Sequence, residues 1–125
     1  MSIYPTFRYR DARAAIDFLE RAFGFERHAV HEADDGTVQH AELRLGDGVI
    51  MLGETQDSEF AKRVPPPGSG SVYVAVDDVD ALVERARAAG AEIVYGPRDQ
   101  DYGSRDFTAR DPECNLWSFG TYRPT

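Results

Sequence analysis

With 125 residues, 42% of them hydrophobic and 29% charged, the chain has the mass and composition of one soluble globular domain. Fourteen basic against twenty-two acidic residues leave a formal charge of −8, which repels phosphate backbones and argues against a nucleic-acid partner. No apolar run reaches membrane-spanning length, "MSIYPTFRYRD" lacks a secretion signal's pattern, and the single cysteine, Cys114, can form no internal disulfide. A cytoplasmic setting without a membrane partner is the expectation.

In chain order, "YPTFRYR" reads as a strand and "RDARAAIDFLERAFGFE" as a helix. Asp11 is its cap candidate, and Ala12, Ala15, Ile16, Leu19 and Phe23 form an apolar stripe at helical spacing. Gly24 suits the left-handed residue that stops the helix. Next come "ERHAVHEA", the turn "DDGT", "VQHAELRL", the tight turn "GDG" and "VIMLGE". Aspartate followed by glycine between alternating runs is a hairpin signal. "TQDSEFAKRVPPPGSG" has the proline, glycine and serine content of a linker, 55–70.

The pattern then repeats. "SVYVAVD" is a strand, and "DDVDALVERARAAGAEI" a helix capped by Asp77 or Asp78 and ended by Gly90. Val79, Leu82, Val83, Ala86 and Ala89 form its stripe. "EIVYGP", a polar loop, "RDFTAR", the turn "DPECN" and "LWSFGTY" complete the second copy. Each half is strand, helix and three strands, spanning about 1–54 and 71–125 of a single domain. Neither half can cover its sheet alone. The expected fold is α+β: two βαβββ modules forming a curved mixed sheet, with helices outside and a groove within. Phe7, Phe18, Phe23, Trp117 and Phe119 beneath the helices would contribute roughly 1.5–3 kcal/mol each.

Strand alternation assigns candidate site residues. His40, Glu42 and Arg44 share one face, while Ala41, Leu43 and Leu45 share the apolar one. Tyr4, Thr6 and Arg8 group together on the first strand, and Ser71, Tyr73 and Ala75 on its counterpart. His40 and Glu42 could share a ligand proton or hold two positions of a metal, but no third ligand is visible. Half-exposed strand residues, with Glu42 paired to Arg44 or Arg8, are the plainer reading. His28 and His31 are expected in solvent. Tyr102 and Arg105, in "RDQDYGSRDF", could lid the groove by stacking and by meeting a carboxylate, or simply form a solvated turn. Trp117 is expected in the core. Acidic neighbours disfavour a Cys114 thiolate.

"AAIDFLERAFGFE", "HAELRLGDGVIMLG" and "DVDALVERARAAGAEIVYGPRDQDYGSRDFTARDPECNLWSFG" together resemble the vicinal oxygen chelate superfamily of glyoxalases, extradiol dioxygenases and bleomycin-resistance proteins, especially its small glyoxalase-like members. The likeness covers nearly the whole chain. Where relatives commonly show glycine after "DPE", this chain has Cys114, which questions the usual turn geometry. The superfamily's metal ligands carry over to Tyr4, Ser71, Ser118 and a position near Met51. Neutral hydroxyls and a thioether are poor donors for a hard divalent ion, so the resemblance implies the frame of a metal site without a metal or other cofactor. Sliding the register to recruit Glu54 would need a bulge.

With Met51 and Ser118 added, the polar faces describe an aromatic-walled groove suited to a small organic molecule. The leading expectation is metal-free binding of such a ligand, antibiotic sequestration being one use. The alternative is a lyase, isomerase or dioxygenase acting through His40 and Glu42. A module without a ligand, its groove filled by its own side chains, is the third. The resemblance also implies a homodimer.

Overall fold

The computed structural model describes residues 1–55 and 62–124; part of the expected linker, 56–61, lies outside them. The element order repeats as expected. The first half comprises β1 (Thr6–Tyr9), α1 (Ala12–Phe18) with a π-helical continuation (Leu19–Phe23), β2 (Glu26–Glu32), β3 (Val38–Leu45) and β4 (Gly48–Glu54). The second comprises β5 (Ser71–Ala75), α2 (Val79–Ala88), β6 (Glu92–Asp99), β7 (Arg105–Arg110) and β8 (Leu116–Gly120). The strands divide into two four-stranded sheets, ordered β1-β4-β3-β2 and β5-β8-β7-β6. In each, the opening strand pairs in parallel with the closing one, and the other pairings are antiparallel. The helix between two parallel strands has to lie across one sheet face, because a parallel pair needs a crossover rather than a hairpin.

Local chemistry starts and stops the helices. Asp11 and Asp78 cap α1 and α2, each carboxylate accepting from the amide three residues on (Ala14 at 3.1 Å, Ala81 at 3.0 Å). Asp78, not Asp77, is therefore the second cap. Gly24 and Gly90 follow the helices at φ 84° and 89°, the left-handed region that glycine enters freely. The π-helical turn directs Leu19, Ala22 and Phe23 all inward, where each is buried.

One core serves both halves. Phe7 of β1 stacks on Trp117 of β8 at 5.1 Å between centroids, and Phe23 packs against Phe119 at 4.7 Å. Trp117, Phe23, Phe107 and Phe119 are almost fully buried, each contributing about 1.5–3 kcal/mol. α2 packs against the π-helical turn, and Arg85 reaches over Gly24 to donate to the carbonyls of Arg21 (2.9 Å) and Glu20 (3.0 Å). A guanidinium thus satisfies two carbonyls at the end of the other half's helix, where a cation also meets the negative end of the helix dipole.

The turn at 111–115 is the polar knot of the core. The buried Asp111 carboxylate accepts from the Tyr9 hydroxyl (2.6 Å), the Trp117 indole (3.0 Å), the Asn115 side chain (3.1 Å) and the amides of Glu113 and Asn115. Burial, then the neighbouring negative charge of Asp111, pushes the Tyr9 phenol far upward, so it remains a donor at any ordinary pH. Glu113 completes the tie by accepting from the Arg10 and Asp11 amides at 2.6 and 2.9 Å. Cys114 stands at φ 78°: the turn keeps the geometry that glycine favours, at the strain of a side chain in the left-handed region.

Candidate functional site

Apolar residues of both sheets turn toward this core, and the alternation leaves a polar face on each. On the first sheet Thr6 and Glu42 both lie opposite Met51, one on either side of it, and Arg44 lies opposite Val49. A cavity of about 340 Å³ opens between Tyr4, His28, Glu42, Arg44, Val49 and Met51. A second, also about 340 Å³, lies between Thr6 and Arg8 on β1 and Val64, Pro65 and Pro66 of the segment leading to β5. The residues expected on this face are thus brought together, with open space above them.

His40 Nε2 is 2.9 Å from Glu42 Oε2. His28 and His31, expected in solvent, are exposed but engaged: His28 Nε2 lies 3.9 Å from Glu42 and its Nδ1 3.0 Å from the Arg44 guanidinium, while His31 stacks on His40 at 6.1 Å. The His40 hydrogen bond, reinforced by the charge of the neighbouring histidines, holds the Glu42 carboxyl below its ordinary range. Arg8 crosses the bare backbone of Gly53, whose missing side chain leaves room for its guanidinium. Spacing along one strand revealed the His40–Glu42 pair; the β2 histidines joined it only through strand pairing.

On the second sheet Tyr73 lies opposite Ser118 and Ser118 opposite Thr108, with Ser118 Oγ and Thr108 Oγ1 2.8 Å apart. Ser71 is exposed at the strand's start. Tyr102 is exposed at the rim, its hydroxyl 3.5 Å from Asp106 Oδ2. Arg105 is placed differently from its expected lid position. Its guanidinium is held by Asp80 of α2 at 2.9 Å and Asp99 at 3.3 Å, because it turns toward the helix rather than the polar face. Asp106, Tyr95 and Gln100 were missed by the sequence reading. Asp106 shares the polar side with Thr108 in "RDFTAR", while Phe107 and Ala109 are buried, so alternation was the available signal.

The superfamily's chelation chemistry does not fit these side chains. Tyr4, Met51, Ser71 and Ser118, the residues the resemblance implies as ligands, offer neutral hydroxyls and a thioether, and the Ser118 hydroxyl is already engaged by Thr108. Among the described residues no group of three or more histidine, cysteine, aspartate or glutamate side chains is placed to hold a metal ion. Nor is any described helix long and apolar enough to cross a membrane.

Comparison with known proteins agrees with the architecture. The family model Glyoxalase/Bleomycin resistance protein/Dioxygenase superfamily matches residues 4–119. The protein Mb0911c of Mycobacterium bovis is 34% identical over 115 residues, covering 88% of this chain and 76% of its own. The crystal structure of TioX from Micromonospora sp. ML1 superposes with a TM-score of 0.80 at 34% identity, covering 98% of this chain and 100% of that one. TnmS3 from Streptomyces sp. CB03234, described as an antibiotic binding protein, has a TM-score of 0.72 over 95% of this chain and 94% of its own; at 22% identity the likeness is one of fold. Repeated modules, parallel-edged sheets and a family match over most of its length together place this chain in the glyoxalase/bleomycin resistance/dioxygenase superfamily.

Proposed function

We propose that the protein binds a small organic molecule on these polar faces without chelating a metal, and that it acts by sequestering that molecule. The observation that carries the reading is the pairing of open space with unsuitable donors: the cavity beside Tyr4 and Met51 is large enough for a small ligand, and the corners around it carry a phenol and a thioether. A thioether and aromatic rings hold organic surfaces by dispersion, and a few polar groups orient them. TnmS3, an antibiotic binding protein by its description, supports the fold's capacity for such ligands. An antibiotic is a ligand class consistent with this reading; a homodimer in the cytoplasm is the setting we propose.

Calorimetric titration with a panel of aromatic antibiotics tests the reading. One-to-one binding that Met51→Lys weakens at least tenfold is expected, since a buried ammonium beside an apolar ligand is costly. Stoichiometric zinc, nickel, manganese or iron in protein prepared without added metal would overturn it. The 2.9 Å contact between His40 and Glu42 supports a second reading, metal-free proton transfer by that pair. Turnover abolished by His40→Gln with ligand affinity retained would establish it.

A further inference from the structure

The Asp106 side chain takes no part in the Asp111 network that ties the core together. It is only 8% exposed, yet among the described residues no arginine, lysine or histidine pairs with it. Neutral donors surround it instead. Oδ1 accepts from the Gln100 amide at 2.9 Å and the Tyr95 hydroxyl at 3.2 Å, whereas among the described residues Oδ2 meets only the Tyr102 hydroxyl, at a long 3.5 Å. Tyr73 approaches from β5: a Cβ on Gly120 would lie 2.7 Å from its hydroxyl and 2.9 Å from the Asp106 Cβ. Tyr122 packs edge-on against Tyr102 at 5.8 Å and accepts the Tyr73 hydroxyl on its carbonyl.

The rings are not there to be buried. Tyr102, Tyr122 and Tyr73 are 65%, 50% and 41% exposed, an unusual outlay of aromatic surface around one carboxylate. The cluster already accommodates one cation, since the Arg98 guanidinium lies 3.8 Å from the centre of the Tyr95 ring. A ring face attracts positive charge through its quadrupole, and a carboxylate with one loosely held oxygen adds direct Coulomb attraction. The net charge of −8 draws cations toward the surface as a whole.

We infer that the tyrosine-walled carboxylate at Asp106 is a subsite for an organic ammonium group, so that the ligand of the second sheet is cationic. The inference rests on the ligand-binding reading above and names the chemistry of its ligand. The cation would lie against the exposed Tyr73, Tyr102 and Tyr122 rings, within Coulomb range of the Asp106 carboxylate.

Choline and its uncharged isostere 3,3-dimethylbutan-1-ol, each titrated into the full chain by NMR, test this directly. Choline is expected to bind roughly tenfold more tightly than the isostere, shifting the tyrosine ring resonances. Asp106→Asn, which keeps the side chain's shape, and Tyr102→Ala, which removes an exposed ring, should each abolish that preference. Equal affinity for choline and the isostere overturns the inference. If aromatic antibiotics still bind in that case, the ligand-binding reading stands; if nothing binds, both fall.

Discussion

The two halves are the same backbone carrying opposite chemistry. Arg8 lies opposite Gly53 in the first sheet, and Ala75 opposite Gly120 in the second. Thr6 and Met51 match Tyr73 and Ser118, and Glu42 beside Met51 matches Thr108 beside Ser118. Yet the first face carries Arg8, Arg44 and three histidines around one glutamate, while the second gathers tyrosines around Asp106. Pleat and register dictate where a side chain points, not what it is, so a duplicated fold can diversify its two faces without disturbing the core. The closing hairpins differ just as sharply. In the first half the Gly46–Asp47 turn is exposed and Asp47 makes no hydrogen bond among the described residues. In the second, the turn at 111–115 ties both halves together through Asp111 and Glu113.

That asymmetry can be broken experimentally, and the turns offer the largest effect. Asp111→Ala should cost about 3–5 kcal/mol, because it strands the Tyr9, Asn115 and Trp117 donors in the core. Asp47→Ala at the matching hairpin should change stability by less than about 0.5 kcal/mol. Equal losses in urea melts would show the turns to be equivalent and refute the comparison.

Next in size is the contact between halves. Arg85→Ala removes two hydrogen bonds to the end of the first half's helix and should cost about 1–2 kcal/mol. Hydrogen exchange should localise that loss to residues 19–25; an unchanged exchange pattern there would contradict the capping role.

Cys114→Gly should stabilise by about 1 kcal/mol, since glycine occupies the left-handed region without the strain of a Cβ. A fall in melting temperature would mean that the cysteine side chain contributes packing that outweighs its backbone cost.

The smallest effect concerns pH and separates the two faces. Folded-state hydrogen bonding lowers the Glu42 carboxyl from its ordinary value of 4.5, so its stabilising contribution is present above 4.5 and is lost as pH falls through the lower folded value. Glu42→Gln should therefore flatten the stability profile below pH 4.5. An acid limb as steep as the wild type's would remove Glu42 from consideration.

Several of these features were legible in the residue order alone. Asp11 and the pair Asp77–Asp78 before apolar stripes, and Gly24 and Gly90 after them, marked both helices because capping is a local interaction within one turn, and the structure chose Asp78 of the pair. Period-two alternation in "HAELRL" separated His40 and Glu42 from Ala41 and Leu43, since a strand's pleat needs no tertiary information. The repeat was likewise written in the chain, whereas the weak donor set Tyr4, Met51, Ser71 and Ser118 came from the family resemblance.

Tertiary structure decided which side chains meet. Arg105 lies in the same loop-and-strand stretch as Tyr102, but only the position of α2 put Asp80 within its reach and drew it off the polar face. His28 joined Glu42 across a strand pairing that contains register shifts, which alternation within β2 cannot reveal. Asp111 and Asp106 look alike in sequence, two aspartates five residues apart. Folding surrounds one with Tyr9, Asn115 and Trp117 and the other with exposed tyrosines, because donors from distant strands, not the residue itself, set what a carboxylate does.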